Sequence, residues 1–224
     1  MTDRAPQRAP QTEDSLLDAN VFMICRRLNP QALSTLSRDY HIRTCREEEL
    51  ALWKAMPFDT PTEAQAYQDS MTDYFSRVYA RKGRLFYERC LFVCDSQDRP
   101  IATAFAWKAY DAFTTIHWLK VVKAYEGKGI GRALLSRVMS ALNADEYPVY
   151  LHTQPGSYRA IKLYADFGFD ILVDPIIGNR TNDIEASIPI LEKYMAHSAF
   201  KNLKYTTAPE SFIRALAQEE ASEF

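Results

Sequence analysis

Glycine is scarce in this chain, seven of 224 residues, and three of the seven stand together at Gly127, Gly129 and Gly131. Cysteine is scarcer still. Cys25, Cys45, Cys90 and Cys94 form neither a C-x-x-C pair nor a zinc-ligand spacing with the four histidines, so they are assigned to core packing as small hydrophobes and no metal is expected. A basic excess is also missing: 27 Lys and Arg against 29 Asp and Glu leave a net charge of −2, which excludes a charge-driven grip on nucleic acid or on an anionic membrane. No uninterrupted apolar run approaches the ~18 to 20 residues of a membrane span. Residues 1–15 carry Arg4 and Arg8 with no apolar stretch after them, so they do not read as a secretory signal, and a cytoplasmic protein is expected. Internal repeats, low-complexity tracts and a Ser–His–Asp order are absent.

What is present suits a soluble enzyme. With 47% hydrophobic and 25% charged residues, the chain fits one large domain or one domain with appendages. Periodicity predicts strands over residues 40–45, 87–95, 101–110, 114–122, 148–153 and 169–173. It predicts helices over 47–56, 62–81, 129–143, 184–200 and 210–220, with Thr60, Pro61 and Thr62 marking one helix start and Thr207 and Pro209 another. Cys90 and Cys94, four apart on one expected strand, should face the same side. The fold class is α/β (α+β), a mixed central β-sheet flanked by helices on both faces, with a C-terminal helical extension. Residues 1–18 read as a disordered arm, 19–178 as the main domain, and 179–224 as an extension packed on it, covering a sheet edge or serving a homodimer ahead of shaping the acceptor pocket.

The glycine cluster carries the chemistry. It follows an apolar strand and opens an amphipathic helix, so the main chain can approach a phosphate without a Cβ in the way. The first amides of the helix then point N–H groups and partial positive charge at the anion. The dinucleotide fingerprint G-x-G-x-x-G from Gly127 needs glycine where Arg132 stands, and no G-x-x-x-x-G-K-[ST] fits. A nucleotide-like ligand outside those two classes is expected.

Two longer strings narrow it. Residues 119–131, ending Glu126-Gly127-Lys128-Gly129-Ile130-Gly131, resemble the strand, loop and helix start of the GCN5-related N-acetyltransferases (the GNAT superfamily), whose signature there is Q/R-x-x-G-x-G/A. Residues 157–169, Ser157-Tyr158-Arg159-Ala160-Ile161-Lys162-Leu163-Tyr164 through Phe169, look like the family's N-x-x-A-I-x-L-Y-x-x-x-G-F segment. The resemblance covers roughly residues 40–175.

It implies the GNAT fold and acetyl transfer from acetyl-CoA, the cosubstrate, to a primary amine on a small molecule or peptide. It places the pantetheine arm against Leu119 and Val121, with the Val121 amide near the thioester carbonyl. The pyrophosphate then lies on Gly127, Gly129, Ile130 and Gly131, with Lys128 and Arg132 as added positive charge. Glu126 stands where the family has Gln or Arg, and Ser157 where it often has Asn; both departures weaken the expected cofactor contacts. Tyr164 matches the tyrosine that protonates the departing thiolate, a transfer for which a phenol of pKa ~10 is suited.

The amine must be deprotonated first. The string His117-Trp118-Leu119-Lys120-Val121 resembles the H-x-L-x-V segment of the aralkylamine acetyltransferases, which makes His117 the first candidate base, with His152 and Glu88 in reserve. By strand alternation His117, Leu119 and Val121 are expected on one side. A catalytically inactive acyl-CoA-binding regulator of the same fold is the alternative reading, favoured by Glu126 and Ser157; a longer acyl donor is a third.

Overall fold

The computed structural model describes residues 16–218 and Glu223. Most of the expected disordered arm, residues 1–15, and positions 219 and 220 of the last expected helix lie outside the described residues. The described chain forms two compact units. One takes the residues up to Cys25 together with those from Leu151 to Gln218; the other takes Arg26–Tyr150 with Glu223.

The first unit opens with β1 (Val21–Cys25), five buried residues in a row. No sequence reading marked it, because a short apolar run without alternation is equally a piece of helix or a doubly covered strand.

The second unit then builds up from β2 (His41–Thr44), α1 (Leu50–Ala55), α2 (Pro61–Ala66), α3 (Gln68–Val78), α4 (Leu85–Arg89), β3 (Leu91–Cys94), β4 (Pro100–Ala109), β5 (Phe113–Val121), α5 (Ile130–Met139) and the start of β6 (Val149–Thr153). Its strands run β6–β5–β4–β3–β2. All these pairs are antiparallel except β5 with β6. Thr60 caps α2 reciprocally: its hydroxyl accepts from the Glu63 amide at 3.2 Å, and Glu63 Oε2 accepts from the Thr60 amide at 3.1 Å. The expected single helix over 62–81 breaks at Tyr67, whose ring stacks flat on Phe58 with centroids 5.0 Å apart.

The alternation in β4 separates two packing surfaces. Ala102 and Ala104 give a small-residue face on which α5 can pack closely. Phe105 and Trp107 enter an aromatic core with Trp53, Phe75, Tyr79 and Phe86 from the helices. That core corrects the strand expected over 87–95. The chain stays helical to Arg89, because a helix turn buries Phe86 completely, 4.8 Å from Trp53 between ring centroids, and β3 begins only at Leu91. Cys90 therefore lies off the strand. It still shares the core with Cys94 and Cys45, and all four cysteines are free and buried.

Back in the first unit, β6 continues through Leu151–Thr153, followed by α6 (Tyr158–Asp166), β7 (Phe169–Leu172), β8 (Ile176–Ile177), β9 (Arg180–Thr181), α7 (Ile184–Tyr194), α8 (His197–Lys201), β10 (Tyr205–Thr206) and α9 (Glu210–Leu216). The strand order is β10–β7–β1–β6. β1 pairs antiparallel with β7, and β10 parallel to it. The Asp183 amide donates to the Asn20 carbonyl at 2.8 Å and the Asn20 amide to Asp183 Oδ2 at 3.1 Å, which ties the segment after Arg180 to the start of β1.

Truncating Phe86 removes the ring around which the helical core closes. Phe86→Ala is expected to cost ~3 to 5 kcal/mol, a Tm loss of ~6 to 20 °C in a thermal melt. A loss under 2 °C contradicts the placement of α4.

Candidate functional site

The edge of β5 is the centre of the second unit's chemistry. Its ladder with β6 holds only Thr114 opposite Val149 and Thr115 opposite Tyr150. From Ile116 onward, the side of β5 away from β4 has no strand partner among the described residues of this unit. The Val122 amide donates to the Ile101 carbonyl of the β4 strand at 2.8 Å. Because N–H groups alternate sides along extended chain, the Val121 amide faces the opposite, open edge.

A bulge shapes that edge. His117 pairs with Phe105 and Lys120 with Thr103, so Trp118 and Leu119 together face Ala104 alone. Trp118 takes the left-handed conformation, φ 54°. The extra residue overturns the alternation read from the sequence. Leu119 and Val121 share one face, and His117 lies on the other, toward the aromatic core.

His117 is 4% exposed and both ring nitrogens are bonded. The Thr115 hydroxyl uses its one hydrogen on the Trp107 carbonyl at 3.1 Å, so it accepts from His117 Nε2–H at 2.7 Å. Nδ1 then accepts from the Tyr79 hydroxyl at 2.5 Å, and the Tyr79 oxygen accepts Trp118 Nε1–H at 2.9 Å. Burial lowers the His117 pKa to about 3. The ring is neutral, and no lone pair is left for an incoming amine. In the first unit His152 is held the same way: Nε2 donates to Asn20 Oδ1 at 2.9 Å and Nδ1 accepts from Arg180 at 3.3 Å, with burial and the Arg180 charge lowering its pKa to about 3. Glu88 sits on α4, not on a strand.

After β5 the chain reaches the glycine loop. Gly127 and Gly129 have φ of 75° and 78°, the region that disfavours every residue with a Cβ. An added Cβ at either would meet no atom within 4 Å, so the space over the loop is clear. Gly129 caps α5 without a side chain, and the first helical bond runs from the Ala133 amide to the Gly129 carbonyl at 3.0 Å. The amides of Ile130 and Gly131 precede it, as an anion at a helix start requires. Lys128 lies exposed with its ammonium 4.7 Å from the Tyr125 ring centroid, and Glu126 is exposed beside the loop. Arg132 donates to the Ala32 carbonyl at 3.2 Å, which directs part of its guanidinium to the protein itself.

An open groove of about 830 Å³ runs along α1, α2 and α3, lined by Leu50, Phe58, Asp59, Pro61 and Gln68 among others. Asp59 on its rim accepts from Lys120 of β5 at 2.6 Å. In the first unit, Ser157 stands at the start of α6, and Tyr164 is buried at 6% exposure on the same helix. Burial pushes the Tyr164 phenol above its usual range. The grouping of His41, Cys94 and Asp98 has donor atoms within 4.8 Å of one another. Arg43 and Arg46 already occupy the Asp98 carboxylate, each at 2.8 Å, and burial pushes the Cys94 thiol up to about 11. Two guanidinium cations and a protonated thiol make this a structural ion cluster.

Sequence comparison decides the relationship. Residues 51–169 match the model of the acetyltransferase (GNAT) family. The chain belongs to that family. Its fold is the mixed α/β type of these acyltransferases, a mixed sheet flanked by helices. A tandem GNAT protein from the clavulanic acid biosynthesis pathway is similar at 15% identity and TM-score 0.50, over 68% of this chain and 50% of its own. A GCN5-related N-acetyltransferase from Sphaerobacter thermophilus shows 20% identity and TM-score 0.48, over 69% and 49%. A GNAT-family acetyltransferase from Colwellia psychrerythraea shows 16% and 0.47, over 68% and 53%. The chain thus spans about half the length of these solved GNAT chains. No curated protein matches it. Among the described residues no helix is long and apolar enough to cross a membrane.

Sequence reasoning missed Tyr79 and Thr115 as site neighbours, whereas Phe58, which it offered as a pocket-lining aromatic, does line the groove. Tyr79 lies 38 positions before His117, and no local pattern links them.

The two neutral histidines make a pH prediction. Their folded pKa values are about 3 against ~6.5 in the unfolded chain, so between these values the unfolded state binds the extra protons. Stability is full above ~6.5 and falls as pH drops toward 3, by up to ~1.4 kcal/mol per pH unit for each ring. Melts from pH 8 to 4 should show Tm flat above 6.5 and declining below; a flat Tm down to pH 4.5 contradicts it.

Proposed function

We propose that this protein transfers an acetyl group from acetyl-CoA to a primary amine, on a small molecule or a peptide, with both bound together. The observation that carries the reading is the open edge of β5, ending at the Val121 amide and leading through two left-handed glycines into the start of α5, which no side chain caps. That arrangement fits the cosubstrate: an extended amide-bearing arm along Leu119 and Val121, and a pyrophosphate on the amides of Gly127, Gly129, Ile130 and Gly131. Lys128 adds charge at the exposed side. Arg132 and Ser157 take lesser parts, the first because part of its guanidinium is committed to Ala32. Glu126 is exposed, where water screens its repulsion of the phosphates.

Acetyl-CoA supplies an acetyl thioester, whose C–S bond breaks as the amine nitrogen forms the new C–N bond. The Val121 N–H stabilises charge developing on the carbonyl oxygen, an effect of ~3 kcal/mol for such donors. Tyr164, kept protonated by burial, gives its proton to the departing sulfur and regains one from the proton that the nitrogen sheds. The amine reaches its neutral form by losing a proton to water, because His117 is fully bonded. The groove along α1–α3 takes the acceptor.

Binding is tested by thermal unfolding with millimolar acetyl-CoA, with NADH as control. Acetyl-CoA at 100 times its Kd should add ~2.7 kcal/mol, a rise of ~5 to 10 °C, and an amine panel should then show CoA release. No rise overturns the reading, and a rise without turnover on any amine assigns the inactive acyl-CoA-binding role instead. Tyr164→Phe should lower kcat at least tenfold while the acetyl-CoA shift persists; an unchanged kcat removes Tyr164 from the reaction.

A further inference from the structure

We infer that Tyr79 is a positioning residue for the cofactor edge: through its bonds to Trp118 and His117 it holds the bulge that sets Leu119 and Val121. This rests on reading that edge as the acetyl-CoA edge.

Trp118 is the bulged residue, and a non-glycine residue at φ 54° costs ~1 to 2 kcal/mol, so something must retain it there. The retaining contact is Trp118 Nε1–H to the Tyr79 oxygen, with the indole also packed edge-on against Tyr74 and Trp53 at 5.5 and 5.8 Å. Tyr79 is itself fully buried, and its hydroxyl is bonded to Nδ1 of His117 as well as to the Trp118 N–H. His117 is fixed in turn by Thr115, whose hydroxyl is committed to Trp107. The ring of His117 meets Tyr79 from the C-terminal end of α3, Phe105 from β4 and Thr115 from β5; no charged group faces it among the described residues. His117 is then a rivet of the bulge. Without the bulge, every residue of β5 beyond it would turn to the other face and every amide to the other edge, moving the Val121 N–H away from the open side.

The test is a double-mutant cycle of Tyr79→Phe and Trp118→Phe in the full chain, read two ways. Amide NMR shifts of Leu119, Lys120 and Val121 report the bulge without any ligand, and acetyl-CoA affinity reports its use. Each single variant should move those amides and raise the acetyl-CoA Kd about fivefold, the worth of one hydrogen bond, with the double variant no worse than either single. Ring nitrogen shifts should show wild-type His117 as the Nε2–H form, neutral at pH 5. Unmoved amides in both variants, additive effects, or a His117 that titrates near 6.5 overturn the inference. Should Tyr79→Phe fail to fold, Trp118→Phe alone decides by the same amides. A wild type that shows these NMR signatures but binds no acetyl-CoA refutes the acetyl-transfer reading and leaves the bulge assignment supported.

Discussion

The second unit depends on the register between β4 and β5. One inserted residue, Trp118, divides β5 into a stretch whose side chains meet the aromatic core and a stretch whose Leu119 and Val121 turn the other way. The left-handed backbone there is unfavourable by itself, and it persists because the half-buried indole donates its N–H to the Tyr79 hydroxyl. A neutral hydrogen bond adds only about 1 kcal/mol net, whereas leaving a donor unpaired against the aromatic core costs up to ~1 to 3 kcal/mol as its burial deepens. The penalty for an unmade bond, more than the gain from a made one, fixes the bulge.

Burial also decides protonation. His117 is neutral because an imidazolium at 4% exposure lacks both water and a counter-charge, and Tyr164 keeps its proton for the corresponding reason. The exposed glycine loop works oppositely. There the chain offers backbone amides, whose partial charges need no ionisation and remain in place at every pH.

The groove of α1–α3 joins the strand through one ion pair, Lys120 to Asp59, on the same face as His117. This position of Lys120 follows from the bulge as well, since its register partner Thr103 shares the face of Phe105. A change at Trp118 therefore reaches the groove rim and the open edge of β5 together.

Features set by neighbours in sequence were legible without coordinates: the loop of Gly127, Gly129 and Gly131, the helix start after it, the strands at β4 and β5, and the family pattern around Tyr164. Each depends on backbone preferences or side-chain periodicity within about a dozen residues. The buried strand β1, the helical rather than extended state of 87–89, the face of His117 and its partner Tyr79 were decided only in three dimensions. In each case the free energy comes from contacts between residues far apart in the chain, where packing outweighs local propensity and one bulged residue reverses the facing that alternation predicts.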